Sequence, residues 1–115
     1  MAILDHENLD VYHHSIEFLS VALRIIARLP RGERELRDQL KRAAMSVPLN
    51  VAEGAGRPAG ADRARFYAIA RGSAMECGAL VDVCRVAEHL SVAEAEEAKA
   101  LLIRIVSMLT RMCRG

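Results

Sequence analysis

The polar residues that could do chemistry together fall into two short segments of the sequence. The first segment carries Ser46, Asn50 and Glu53, and the second carries Ser73 and Glu76. Residues three and four positions apart lie on one face of a helix, so each segment presents these side chains on one side. If the two helices pack side by side, we expect the five side chains to form a hydrogen-bonded cluster that fixes the register of the helices.

A second interpretation of this cluster is chemical. Two carboxylates, Glu53 and Glu76, could hold a metal ion or carry out acid–base catalysis, as the carboxylates of facing helices do in di-iron bundles. Those sites use Glu-x-x-His pairs, and neither glutamate has a histidine three residues later. We therefore predict no catalytic residue, no metal and no cofactor, and take the structural role as the main hypothesis.

The histidines and cysteines do not have the spacing of a reactive site either. His13 and His14 are adjacent in the sequence, so on a helix they point about 100° apart. Cys77, Cys84 and Cys113 form no C-x-x-C pair, so the spacing indicates neither a zinc site nor a disulfide framework. We expect solvated histidines and reduced, mostly buried thiols.

Apolar residues at spacings of three and four predict four helices, over about residues 8–29, 33–54, 62–90 and 92–112. Gly54 is expected to end the second helix, and Pro48 to kink it. Ser91 and Glu94 have the spacing of a capping box before the fourth helix. Four helices joined by short turns predict an all-α fold, an antiparallel up-down-up-down four-helix bundle that forms a single domain over residues 1–115.

The composition agrees with helix packing and limits the classes of function. Apolar residues make up 52% of the chain and aromatic residues only 3%, so the core must be aliphatic, which suits helices better than a sheet sandwich. The formal net charge of +1 excludes the strong positive field of an obligate nucleic-acid binder. Neither a secretory signal nor a membrane-length apolar run is evident, so a cytoplasmic protein without a membrane partner is expected.

Several helices carry more apolar surface than one bundle core needs. In the first helix, the seam assigned to the core consists of Leu9, Tyr12, Ile16, Leu19, Leu23 and Ile26. A second stripe on the same helix consists of Val11, Phe18, Val21 or Ala22, and Ile25. The fourth helix has further apolar residues outside its core seam, namely Leu101, Ile103, Val106 and Met108. Exposed apolar stripes of this extent are uncommon on soluble monomers, so we predict a homo-oligomer.

A modest excess of basic residues lies between residues 31 and 60. The candidate contacts to RNA or DNA are Arg31, Arg34, Arg37, Lys41, Arg42 and Arg57. Acidic residues alternate with them, as a solvated helix face would show. Because symmetry in an oligomer could concentrate this charge, nucleic-acid binding is the alternative hypothesis to an interaction or scaffold role.

Two strings in the sequence are similar to a known family. Residues 46–54 read Ser-x-Pro-x-Asn-x-Ala-Glu-Gly, and residues 72–76 read Gly-Ser-x-x-Glu. Together with the opening Leu9-Asp10-Val11-Tyr12, they resemble the 23S rRNA intervening-sequence proteins over nearly the whole chain. The resemblance implies a four-helix bundle that assembles into a ring-like homopentamer, with no established enzymatic activity and with a link to ribosomal RNA genes.

Overall fold

A computed structural model describes residues 3–114, in which a short 3-10 turn at Asp5–Asn8 precedes the helices. The helices are α1 (Asp10–Arg28), α2 (Arg34–Ala55), α3 (Ala61–Val86) and α4 (Val92–Cys113). Residues 3–114 contain no β-strand, so the prediction of an all-α fold is confirmed. None of the helices in this part of the chain has both the length and the apolar character that crossing a membrane requires.

Each helix packs beside its neighbours in the sequence, and α1 also packs beside α4. The contacts that give the helix directions are Arg71 with Thr110, Asp82 with Lys99, Ser46 with Ser73, and Gly54 with Tyr67. In the pairs α2/α3 and α3/α4, the late residues of one helix contact the early residues of the other, and the end of α1 contacts the start of α4 through Arg28 and Glu94. The helices therefore run antiparallel around one aliphatic core, as in an up-down-up-down bundle.

α1 buries the second of its two stripes, about 100° around the helix from the one assigned to the core. Its buried residues are Val11, Ser15, Phe18, Ala22 and Ile25. By contrast, Ile16 is 41% exposed and Leu23 is 44% exposed, so the prediction was wrong for these two residues. The other members of the predicted seam are partly buried and pack against the edge of the core, namely Leu9, Tyr12, Leu19 and Ile26. Two of these buried residues, Ser15 and Ala22, have small side chains. The Ser15 hydroxyl is satisfied within the helix, because it donates to the Val11 carbonyl at 2.6 Å.

On the other three helices, the buried residues recur mostly at the spacings of three and four from which the helices were predicted. The buried positions are Leu40, Ala43, Val47 and Val51 on α2, Ala70, Cys77, Leu80 and Cys84 on α3, and Ala98, Leu102, Ile105 and Leu109 on α4. Burial raises the pKa of Cys77 to about 12, so this thiol is protonated and serves packing.

Two helix ends differ from the prediction. α2 continues through Pro48 and Gly54 and ends at Ala55, so Gly54 lies inside the last turn. α3 ends at Val86 instead of residue 90, because a Schellman motif follows it. In that motif His89 N–H donates to the Cys84 carbonyl at 2.8 Å, and Glu88 adopts a φ of 65°.

α4 begins with the predicted capping box. Ser91 Oγ accepts from the Glu94 N–H at 3.0 Å, and Glu94 Oε1 accepts from the Ser91 N–H at 3.0 Å. The Glu94 carboxylate also accepts hydrogen bonds from Arg28 at the end of α1. These bonds lower the pKa of Glu94 to about 2. The hydrogen bond from Arg28 has the largest effect, and the bond from the Ser91 N–H has the next largest.

This depressed pKa predicts a loss of stability in acid. The contribution of ionised Glu94 is fully present above its ordinary pKa of 4.5 and is lost as the pH falls through about 2. Glu94→Gln removes this titration, so its urea midpoint should fall less than the wild-type midpoint over that pH range. Parallel loss in the two proteins would contradict the assignment.

Candidate interaction surfaces

A small polar network links α2 to α3. Ser46 Oγ lies 2.7 Å from Ser73 Oγ. Asn50 Nδ2 donates to the Ser46 carbonyl at 2.9 Å and to Ser46 Oγ at 3.0 Å. All three side chains are half-buried, so these hydrogen bonds tie the two helices at one register.

The two glutamates assigned to this cluster lie outside the network. Glu53 and Glu76 are exposed, and within residues 3–114 neither is hydrogen-bonded to the network. Glu53 instead accepts from Arg57, one helical turn later, at 3.4 Å. In the same part of the chain, no three His, Cys, Asp or Glu side chains come together as metal ligands would.

The six basic residues proposed as nucleic-acid contacts do not form one patch. Arg34 pairs with Asp38 at 3.9 Å, and Arg37 donates to the Pro30 carbonyl at 3.0 Å. Arg57 follows the far end of α2, which ends at Ala55, about 32 Å from Arg34 by helical rise. The remaining members, Arg31, Lys41 and Arg42, are exposed. The segment is therefore a mixed, solvated surface in this fold.

Arg63 caps the carboxyl end of α2, a role that the sequence reasoning missed. Arg63 Nε donates to the Gly54 carbonyl at 3.2 Å and to the Arg57 carbonyl at 2.9 Å. Its Nη2 also donates to the Ala55 carbonyl at 3.4 Å. Carbonyls at a helix end lack intrahelical partners and carry partial negative charge. A basic residue shortly after a predicted helix end is the sequence signal that could have pointed to this contact.

Next to this cap, Phe66 contacts two guanidinium groups. The Cζ atoms of Arg57 and Arg65 lie 4.9 Å and 4.4 Å from the centroid of the Phe66 ring. Asp62 accepts hydrogen bonds from both arginines, at 3.3 Å and 3.2 Å. These cation–π contacts and ion pairs hold the loop between α2 and α3 against the start of α3.

Two apolar surfaces remain uncovered on opposite sides of the bundle. The first, named here the α1/α2 face, consists of Ile16, Leu23, Met45 and Leu49, all exposed. The second, the α3/α4 groove, has a volume of about 640 Å³. Its apolar lining residues are Ala74, Met75, Gly78, Ala79, Leu102, Ile103 and Val106, and its polar ones are Asp82, Lys99, Ser107, Thr110 and Arg111. In this groove Met75 is 54% exposed and Ile103 is 66% exposed.

Two glycines inside α3, Gly72 and Gly78, are not packed tightly against another helix. A Cβ atom added at Gly72 would meet nothing within 4 Å, whereas one added at Gly78 would reach Leu102 Cδ1 at 4.0 Å. Neither glycine is required by tight helix packing within the chain. The face around Gly72 therefore stays open to solvent or to another molecule.

Comparison with known proteins assigns the chain to a family. A family model described as 23S rRNA-intervening sequence protein matches residues 7–111. No curated protein has a significant match to the chain. The family match covers α1, α2, α3 and most of α4, including the Ser46–Asn50–Ser73 network and both uncovered surfaces. The chain belongs to the family of 23S rRNA-intervening sequence proteins.

Proposed function

We propose that the chain is a cytoplasmic, non-enzymatic interaction protein whose copies join the α1/α2 face of one to the α3/α4 groove of the next. The observation that carries this proposal is the presence of two exposed apolar surfaces on opposite sides of the bundle. Apolar surface of this kind is stabilised when another surface removes it from water. A second copy of the chain supplies a matching apolar surface for each.

The two surfaces differ in the size of their side chains. The α1/α2 face presents large ones, with Ile16 and Leu23 about 10 Å apart along α1. The α3/α4 groove includes the small residues Gly78 and Ala79, which leave room for large side chains of another copy. A contact between two different surfaces is heterologous, and heterologous contacts form rings when the rotation between copies closes.

A ring of five copies is the assembly that we propose. The surplus apolar surface supports self-association, and the resemblance of the chain to its family supports the subunit number. Such a ring gives the protein a scaffold role, because it presents the same outer surface several times around one axis.

The test uses two single variants, each with an aspartate in place of one apolar residue of one surface. Leu23→Asp and Ile103→Asp should each be monomeric by native mass spectrometry, since a buried unpaired carboxylate opposes the contact. When the two variants are mixed, the intact groove of one binds the intact face of the other, so a one-to-one heterodimer should form and grow no further. Val92→Asp, at an exposed apolar position at the start of α4, is the matched control and should assemble like the wild type.

Three results would overturn the proposal. They are a monomeric wild type, a Leu23→Asp variant that assembles like the wild type, and a mixture of the two variants that forms no heterodimer. If Leu23→Asp formed a dimer while Ile103→Asp stayed monomeric, the contact would instead be a symmetric one between two α3/α4 grooves, and the proposal would also be wrong.

A second candidate function is binding of RNA or DNA, with ribosomal RNA as the first choice. The family description names 23S rRNA. The observation that favours this function is the charge of α4 after its first turns. Residues 98–114 contain basic residues and no Asp or Glu. Repetition around a ring would multiply this charge.

A further inference from the structure

Charge is separated along α4. Its first turns carry Glu94, Glu96 and Glu97, whereas residues 98–114 contain no acidic residue. Arg104, Arg111 and Arg114, named here the α4 arginine strip, are exposed. Their spacing of seven and three places them on one side of the helix, with Ser107 between them.

The arginine strip has no carboxylate partner within residues 3–114. The ion pairs of this part of the chain involve other cations, among them Arg28, Arg34, Arg57, Arg65 and Lys99. The three strip guanidiniums also make no side-chain hydrogen bond there. Arg111 also lines the α3/α4 groove together with Ser107, whereas Arg104 and Arg114 do not, so in a ring the strip borders the contact between copies. Each of the three guanidiniums can bind an anion without breaking a contact of the fold.

Arg71 on α3 extends the strip across the helix boundary. Its Nε donates to Thr110 Oγ1 at 2.8 Å, and Thr110 Oγ1 donates to the Val106 carbonyl at 2.7 Å. This chain of bonds holds the half-buried guanidinium beside the turn of α4 that carries Arg111. The Nη groups of Arg71 make no hydrogen bond within residues 3–114, so they are free donors in a fixed position.

Stabilisation of the helix explains only part of this arrangement. Basic residues in the last turn of a helix interact favourably with its dipole, which accounts for Arg111 and Arg114. Arg104 lies more than two turns before the end of α4, where the dipole effect has decayed. Like charges without counter-charges repel one another, and binding of a polyanion would relieve this repulsion.

We propose that the α4 arginine strip, with Arg71, binds the phosphate backbone of structured RNA. This inference rests on the second candidate function and names the surface that carries it. Arg104 and Arg114 lie about 15 Å apart along the helix, so the strip spans several successive phosphates. No aromatic side chain belongs to the strip, so it lacks a stacking platform for bases, and the contacts position the RNA without reading its sequence.

The test measures the affinity of the assembled protein for a fluorescent RNA duplex and for a DNA duplex of the same sequence. Fluorescence anisotropy should give a Kd that weakens steeply as KCl rises from about 50 to about 200 mM. Arg104→Glu/Arg111→Glu should weaken RNA binding by at least about tenfold and reduce the log–log salt slope by about two. Arg104→Gln/Arg111→Gln should have a smaller effect in the same direction.

The matched control is Arg31→Glu/Arg34→Glu, which makes the same change in net charge at exposed positions outside the strip. It should retain most of the wild-type affinity. Circular dichroism and native mass spectrometry of every variant report folding and assembly independently of RNA binding.

The possible failures are distinguishable. Wild-type protein that binds neither duplex at the lowest salt concentration would overturn the nucleic-acid function together with the strip. Wild-type binding that both charge-reversal variants weaken equally would overturn the strip alone, because net charge would then explain the effect. Tighter binding of DNA than of RNA would overturn the choice of RNA.

Discussion

Gly54→Ala is expected to lower the free energy of unfolding by a net of about 1 kcal/mol, since overpacking a filled site costs about 2 kcal/mol. A Cβ atom at this position would lie 2.6 Å from Tyr67 Cε1 and 3.3 Å from the Arg63 carbonyl oxygen. Tyr67 is buried, so its ring cannot move aside without separating α2 from α3. The better helix propensity of alanine, worth about 1 kcal/mol, offsets only part of this cost.

Gly72→Ala is the matched control, because it makes the same substitution inside a helix without a neighbour. Nothing lies within 4 Å of the added Cβ atom, so only the helix propensity changes. This variant should be more stable than the wild type by about 1 kcal/mol. Urea unfolding of the three proteins at one concentration measures both effects, and changes of the same sign at the two glycines would contradict the explanation.

Arg63→Met is expected to cost about 2–3 kcal/mol, because hydrogen bonds from a charged group contribute more than neutral ones. The variant leaves the carbonyls of Gly54, Ala55 and Arg57 without the guanidinium that now binds them. It also removes a positive charge from the negative end of the α2 dipole. Thermal and urea unfolding should both report the loss.

Two further variants separate capping from net charge. Arg63→Lys should recover part of the stability, because lysine keeps the charge but cannot bind several carbonyls with a planar fork. Arg65→Met removes the same charge two residues later, where the exposed side chain pairs with Asp62. Exposed ion pairs contribute about 0–1 kcal/mol. An Arg65→Met loss as large as that of Arg63→Met would contradict the capping role.

The helices could be predicted from periodicity, but the core face of α1 could not. α1 has two apolar stripes with similar spacing, so periodicity alone does not say which one is buried. The structure buries the stripe that contains Phe18 and Ile25 and leaves Ile16 and Leu23 exposed. A single sequence does not distinguish the apolar residues that fill the chain's own core from those that stay exposed on its surface.

The polar site was predictable only where local spacing determines the contacts. Asn50 reaches Ser46 because residues four apart meet on a helix, and Ser46 meets Ser73 across the helix boundary. Glu53 shares the helix and the spacing, yet Arg57 provides a nearer partner within the same chain segment. The Arg63 cap depends on how the loop brings α3 back against α2, which spacing alone does not specify.

The two uncovered apolar surfaces lie on different helices, so in the proposed assembly the angle between them decides whether the copies close into a ring. In an open row of copies joined face to groove, one face and one groove always remain exposed at the ends. Only closure of the row into a ring covers both. If the proposed face-to-groove ring forms, a substitution that changes the angle between the α1/α2 face and the α3/α4 groove should convert the closed ring into a growing filament, even when each individual contact keeps its strength.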